Sequence, residues 1–230
     1  MFRDRVDAGQ QLAGALMEYA GRDDVLVLGV PRGGVPVAAE VSRALRAPLD
    51  VLIVRKLGAP QQKELALGAI AEGGIRILNH SVIEELGISD ELLGRLVARE
   101  TAEIERREEL FRGVRPAIQV QGKTVILVDD GIATGASTLA AITALRAMEP
   151  RKIVVAVPVA PGRVQANIER AADGFVALLL PEDFYSISQF YEDFSQVEDS
   201  QVRDLLAGAG LAGSSPPATD NLKTGSRGAA

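Results

Sequence analysis

Hydrophobic residues fall along this chain in two rhythms. Five short runs are apolar almost without a break: Val25 to Val30, Val51 to Val54, Val125 to Val128, Ile153 to Val159 and Phe175 to Leu180. A run that does not alternate suits a strand buried on both faces. Between the runs the spacing changes to three and four. Val37, Val41 and Leu45 follow the first run, Leu139, Ile142 and Leu145 the third, and Val164 and Ile168 the fourth. That period belongs to a helix burying one face. Strand and helix in alternation predict an α/β fold, a mostly parallel open sheet flanked by helices and joined by right-handed crossovers. In such sheets ligands gather at the carboxyl ends of the strands, so the strand-to-helix turns are where chemistry is sought.

One segment departs from the alternation. From Ser89 to Gly113 the chain has an N-cap serine, acids in the first turn, a sparse stripe at Leu93, Val97, Ile104 and Phe111, and a closing glycine. These signals predict one long helix. Glu91 and Arg95, Glu103 and Arg107, and Glu108 and Arg112 stand four apart in the favourable order, so its arginines read as helix support and solubility. With the residues before it, from about 80 to 113, it reads as a helical insertion or hood over the sheet edge. Residues 1–207 then form one domain, closing with an aromatic segment at 182–207. Residues 208–230 are Gly, Ala, Ser and Pro with scattered charges and no apolar period, the composition of a disordered tail.

Length and composition narrow the class. At 230 residues and 47% apolar there is enough chain for one sizeable core. With no cysteine there are no disulfides or thiolate metal sites, and charges sit where a signal peptide would carry its apolar run. A cytoplasmic protein is expected. A net charge of −6 argues against nucleic acid and anionic membranes as partners, yet leaves room for a local basic pocket.

The richest stretch is VILVDDGIATGAST, Val125 to Thr138. The strand delivers Asp129 and Asp130 to the sheet edge, and the small turn that follows opens a helix. Backbone N–H groups there, with the hydroxyls of Thr134, Ser137 and Thr138, make an anion pocket at a positive helix end. Two carboxylates about 6 Å from a phosphate would cost on the order of 3 kcal/mol per charge pair at an effective dielectric near 20. They need a partner, either a metal ion or a vicinal pair of sugar hydroxyls. A ribose 5-phosphate satisfies both halves.

This stretch resembles the type I phosphoribosyltransferases, whose signature is an apolar strand, two acids and a small-residue loop ending in Thr/Ser-Gly-x-Ser/Thr. The resemblance implies a phosphoribosyltransferase of nucleotide metabolism that binds 5-phosphoribosyl-1-pyrophosphate. It places the ribose diol on Asp129 and Asp130, and the 5-phosphate on Ala133, Thr134, Gly135, Ala136, Ser137 and Thr138. Gly131 stands where the family has an aliphatic residue, which would loosen the turn. Ala133 stands where members acting on 6-oxopurines carry an aspartate, so hypoxanthine and guanine are disfavoured as acceptors while adenine is permitted.

Phosphoribosyl pyrophosphate requires a second anion site. The first strand leads into PRGG, Pro31 to Gly34, whose glycines allow close backbone approach and whose Arg32 adds a fork of donors. Arg32 and Gly33 match the family's pyrophosphate loop. Arg55 and Lys56 follow the second strand, as does the family's basic pair, with Lys63 in the mobile loop expected after them. The family reaction moves phosphoribose to a nitrogen nucleophile, a nucleobase among the acceptors, and releases pyrophosphate. Mg is held mainly by the substrate, so no protein metal motif is required, and Arg55, Lys56, Asp129 and Asp130 are the expected catalytic residues. A homodimer is compatible with this reading. The lone His80 reads as a turn or surface residue. The aromatics Phe184, Tyr185, Phe190, Tyr191 and Phe194 suit packing of the C-terminal segment or stacking of a base. A non-catalytic sensor of phosphoribosyl pyrophosphate or a nucleotide is the alternative, since Ala133 offers no general base.

Overall fold

The computed structural model describes residues 1–212, apart from 61, 63, 64, 114 and 118. The chain opens with α1 (Arg5–Gly14), β1 (Val25–Gly29), α2 (Gly34–Leu45) and β2 (Leu49–Val51). It then leaves the main sheet for β3 (Val54–Gly58), β4 (Ala66–Ala71), β5 (Ile75–Leu78), α3 (His80–Glu85) and α4 (Asp90–Arg112). It returns through β6 (Thr124–Val128), α5 (Ala136–Ala147), β7 (Lys152–Val159), α6 (Gly162–Ala171) and β8 (Gly174–Leu179), and ends in α7 (Asp199–Ala212). No helix among the described residues is long and apolar enough to cross a membrane.

The main sheet is parallel throughout, in the order β2-β1-β6-β7-β8. Its strands are apolar on both sides because both sides are covered. Val25 and Val27 of β1 enter one hydrophobic cluster while Leu26 and Leu28 enter the other. All four are at most 3% exposed, and each such side chain contributes roughly 1.5–3 kcal/mol on burial. From β1 the chain moves one way to β2, and later returns on β1's other side as β6. The carboxyl ends of β1 and β6 therefore flank the switch point where ligands collect in open α/β sheets.

The hood differs from a purely helical insertion. It contains a three-stranded antiparallel sheet, β3-β4-β5, across which α4 packs. The apolar run Val51 to Val54 is accordingly two strands instead of one. Leu52 still donates its N–H to Gly29 in the main sheet, but Ile53 exchanges bonds with Glu72 of the hood. Leu52 and Ile53 enter opposite clusters, and the chain changes sheet between them. Arg55 and Lys56 thus lie within β3 of the hood, not at the end of a parallel strand. Most of the loop expected after them is the β3–β4 hairpin.

α4 starts at Ser89, whose side chain accepts the Leu92 N–H at 3.3 Å, and stops at Gly113 with φ 58°. Its end is pinned to the core by Arg112, only 8% exposed. That guanidinium donates to Asp50 of β2 at 2.9 and 3.1 Å, to the Val51 carbonyl at 2.6 Å, and to Glu72.

The N-terminal residues and the segment after β8 are laced together. Phe2 donates to the Phe190 carbonyl and accepts from Glu192, while Arg3 accepts from Asp193. α7 packs against α2 and α4, burying Val202 and Leu206. The tail expected from residue 208 begins inside this helix, and 213–230 lie outside the described residues. His80 is an exposed residue at the start of α3.

Candidate functional site

The ends of β1 and β6 meet closely enough to exclude side chains. Val30 donates its N–H to the Val128 carbonyl at 2.9 Å, and the next residues, PRGG, fold over the acid pair. A Cβ on Gly33 would lie 2.0 Å from Asp130 Oδ2, and one on Gly34 would lie 2.7 Å from the Val128 carbonyl. Glycine is required at both because backbone sits on carboxylate and on strand. The Pro31–Arg32 peptide is cis.

The two acids occupy different settings. Asp129 lines a cavity of about 320 Å³, with Oδ1 accepting the Asp130 N–H at 2.9 Å. Burial and the neighbouring Asp130 charge push its carboxyl well above the usual carboxylate range. Asp130, 8% exposed, is absent from that cavity's lining. Its Oδ2 accepts from Arg5 Nε at 2.8 Å, and its carbonyl accepts the buried Tyr191 hydroxyl at 2.7 Å. Burial raises Asp130 as well, opposed by the Arg5 charge. Burial likewise raises the Tyr191 phenol, which stays a neutral donor.

The phosphate-loop candidates follow. Ala133 and Thr134 are exposed, and Gly135, the N-cap of α5, adopts φ 81° and has no side chain with which to cap that helix. The unsatisfied amides and the dipole of a helix N-terminus favour an anion at this end. Thr134 Oγ1 accepts the Ala136 N–H at 3.4 Å, and Ser137 and Thr138 line the same cavity as Asp129. Gly131 does not loosen the turn. Ile187 fills the space beside it, 2.7 Å from where a Cβ would stand, so the segment after β8 supplies the aliphatic group that residue 131 lacks.

Arg55, Lys56 and Arg107 line this cavity as well, with Val30, Pro31 and Val54 completing the lining. Arg55 Nε donates to the buried Glu100 at 2.8 Å, and Arg107 Nε donates to Glu103 at 2.7 Å. Arg107 corrects the reading of α4 as a solvated charged face, since one of its arginines faces the cavity. Nothing in the sequence separates it from Arg106, which also pairs with Glu103. Arg32 stands elsewhere, its guanidinium 3.8 Å from Asp199 at the start of α7, and Gly33 touches Asp130, not the cavity. Lys63 lies outside the described residues. Of the aromatics, Phe2, Tyr191 and Phe194 pack around Arg5 and Asp130. Phe184 stacks on Phe190, and Tyr185 is 89% exposed. Among the described residues there is no group of three or more His, Cys, Asp or Glu placed to hold a metal ion.

The phosphoribosyl transferase domain model matches residues 3–194, and the chain belongs to that family. It is 44% identical over 229 residues to two Mycobacterium tuberculosis proteins, MT0597 and Rv0571c, both provisionally named phosphoribosyl transferases. The match takes in 96% of this chain and 52% of theirs; the chain spans about half the length of these curated relatives. The crystal structure of TT1426 from Thermus thermophilus is 44% identical, with a TM-score of 0.82 over 90% of this chain and 98% of that one.

Proposed function

We propose that this chain binds 5-phosphoribosyl-1-pyrophosphate and transfers its phosphoribosyl group to a nitrogen nucleophile, releasing pyrophosphate. One observation carries the reading. Asp129, Ser137 and Thr138 line a single cavity of about 320 Å³ together with Arg55, Lys56 and Arg107, within the size range of small-ligand sites. The substrate carries groups to match these: a phosphate, a diol and a diphosphate.

In this reading the 5-phosphate takes the amides and hydroxyls from Ala133 to Thr138. The ribose hydroxyls donate to Asp129, with Asp130 behind it. The diphosphate lies against Arg55, Lys56, Arg107 and Pro31. Magnesium enters with the diphosphate as part of the substrate. Breakage of the C1–oxygen bond leaves positive charge on the sugar and negative charge on the leaving group. The three cations stabilise the leaving diphosphate, the acceptor nitrogen closes the new bond to C1, and its proton passes to the released diphosphate or to water. No nucleophile from the protein is needed.

A sensor that binds without turnover is the second reading, favoured by the exposed methyl of Ala133 where an acid or base would serve. Pyrophosphate release, measured with phosphoribosyl pyrophosphate, Mg²⁺ and a panel of purine, pyrimidine, pyridine and amine acceptors, separates the two. Release with any acceptor establishes transfer. Tight calorimetric binding without release leaves the sensor, and absence of binding removes both.

A further inference from the structure

Arg5 reaches the acid pair from the other end of the domain, 125 residues from Asp130 in sequence. Its side chain is 12% exposed. Nε donates to Asp130 Oδ2 at 2.8 Å, Nη1 donates to the Ser195 carbonyl at 2.8 Å, and the guanidinium lies 3.9 Å from the centre of the Phe194 ring. Three groups seat the arginine, and the arginine seats one carboxylate.

We infer that Arg5 is a positioning residue, which holds the Asp130 carboxylate beneath the PRGG loop and so presents Asp129 to the ribose. The inference rests on the proposed phosphoribosyl pyrophosphate site and adds a residue to it. Two enclosed acids at one strand end repel each other when both are ionised. A cation on one of them relieves that repulsion and fixes which carboxyl turns from the cavity. The groups facing the pair are Arg5 from α1 and Tyr191 from the segment after β8, both on Asp130, and Arg55 and Lys56 of β3 and Arg107 of α4 in the cavity that Asp129 lines. Asp193 of that segment acts on Arg5. The PRGG loop presents only the glycine backbone, since Arg32 turns to Asp199. The N-terminal segment and the residues around 191–195 thereby become parts of the site, although neither lines the cavity.

The test uses the full chain with Arg5→Gln, Arg5→Lys and, as a milder perturbation of the arginine's seat, Phe194→Leu. Carboxyl-carbon NMR titration of the ligand-free protein reads the acid pair directly. Calorimetry against phosphoribosyl pyrophosphate from pH 5 to 9 reads its use. Arg5→Gln should raise the apparent titration midpoint of the pair by about one pH unit. It should weaken binding about tenfold near neutrality, with the midpoint for loss of binding moving up in step. Arg5→Lys should restore most of both effects, and Phe194→Leu should give a smaller shift in the same direction. A titration that does not move, or binding that weakens equally at every pH with no rescue by lysine, overturns the inference and leaves an ordinary structural contact. A wild-type protein that fails to bind phosphoribosyl pyrophosphate removes the functional reading itself, and the inference falls with it.

Discussion

The wall built by the β6–α5 loop and the wall built by β3 and α4 hold charge by different means. The loop offers backbone amides and hydroxyls, which need no counter-ion when the site is empty. The hood offers guanidinium and ammonium groups, and in the ligand-free protein Arg55 and Arg107 are already paired with Glu100 and Glu103 of α4. In the proposed reading the diphosphate must compete with carboxylates on the hood side, while the 5-phosphate meets prearranged dipoles on the core side. The core wall is fixed by main-chain geometry; the hood wall is fixed by tertiary placement of one helix.

That placement depends on Arg112, which joins the end of α4 to β2 and to the β4–β5 turn, so its removal should have the largest effect. Arg112→Leu leaves Asp50 and Glu72 buried without their cation, and should cost about 3–5 kcal/mol, lowering Tm on the order of 10 °C. Thermal melts would show it. A change under a degree or two would mean that the hood is anchored by its apolar contacts alone. On the core side, Asp129→Asn should weaken phosphoribosyl pyrophosphate binding on the order of 100-fold, the worth of one or two hydrogen bonds to a charged acceptor. Calorimetry giving an unchanged Kd would remove Asp129 from the ribose site.

The hood wall is sharpened by a matched pair. Arg106 and Arg107 are adjacent and both pair with Glu103, yet Arg106 is largely exposed while Arg107 lines the cavity. Arg107→Gln should raise the Kd for phosphoribosyl pyrophosphate about tenfold, and Arg106→Gln should leave it within about twofold. Equal effects from the two would show that α4 contributes only a diffuse field.

The same pair marks how far the site was legible in the chain. The strand, the acid pair and the small-residue loop occupy fourteen consecutive positions from Val125 to Thr138, and local spacing carries their geometry. α4 was legible because its cap and its closing glycine are local signals. Arg107 was not, because its helix partner pattern equals that of a solvent-facing arginine. Arg5 lies 125 residues from its partner, beyond any local pattern. The division of Val51 to Val54 between two sheets leaves no breaker residue, since Leu52 and Ile53 are equally apolar and differ only in which cluster receives them. Gly131 looked like a weak point because Ile187, which fills its space, comes from an element much later in the chain.

The smallest effect is the most direct probe of the acid pair. Burial and the Asp130 charge lift the Asp129 carboxyl, so the folded protein keeps that proton to higher pH than the unfolded chain does. The resulting stabilisation is fully present below the ordinary carboxylate pKa of about 3.9. It is lost as pH rises through the elevated folded value. Asparagine cannot ionise, and its Oδ1 can still accept the Asp130 N–H, so Asp129→Asn keeps what the wild type loses. Its Tm should exceed that of the wild type at pH 8 by about 2–4 °C, the shift that roughly 1 kcal/mol produces in a domain of this size. The gap should close as pH approaches 4. A mutant less stable than the wild type at pH 8 would show that the ionised carboxylate is satisfied by its surroundings before any ligand arrives. Asp129 would then be part of the scaffold of the core wall instead of the group held ready for the sugar.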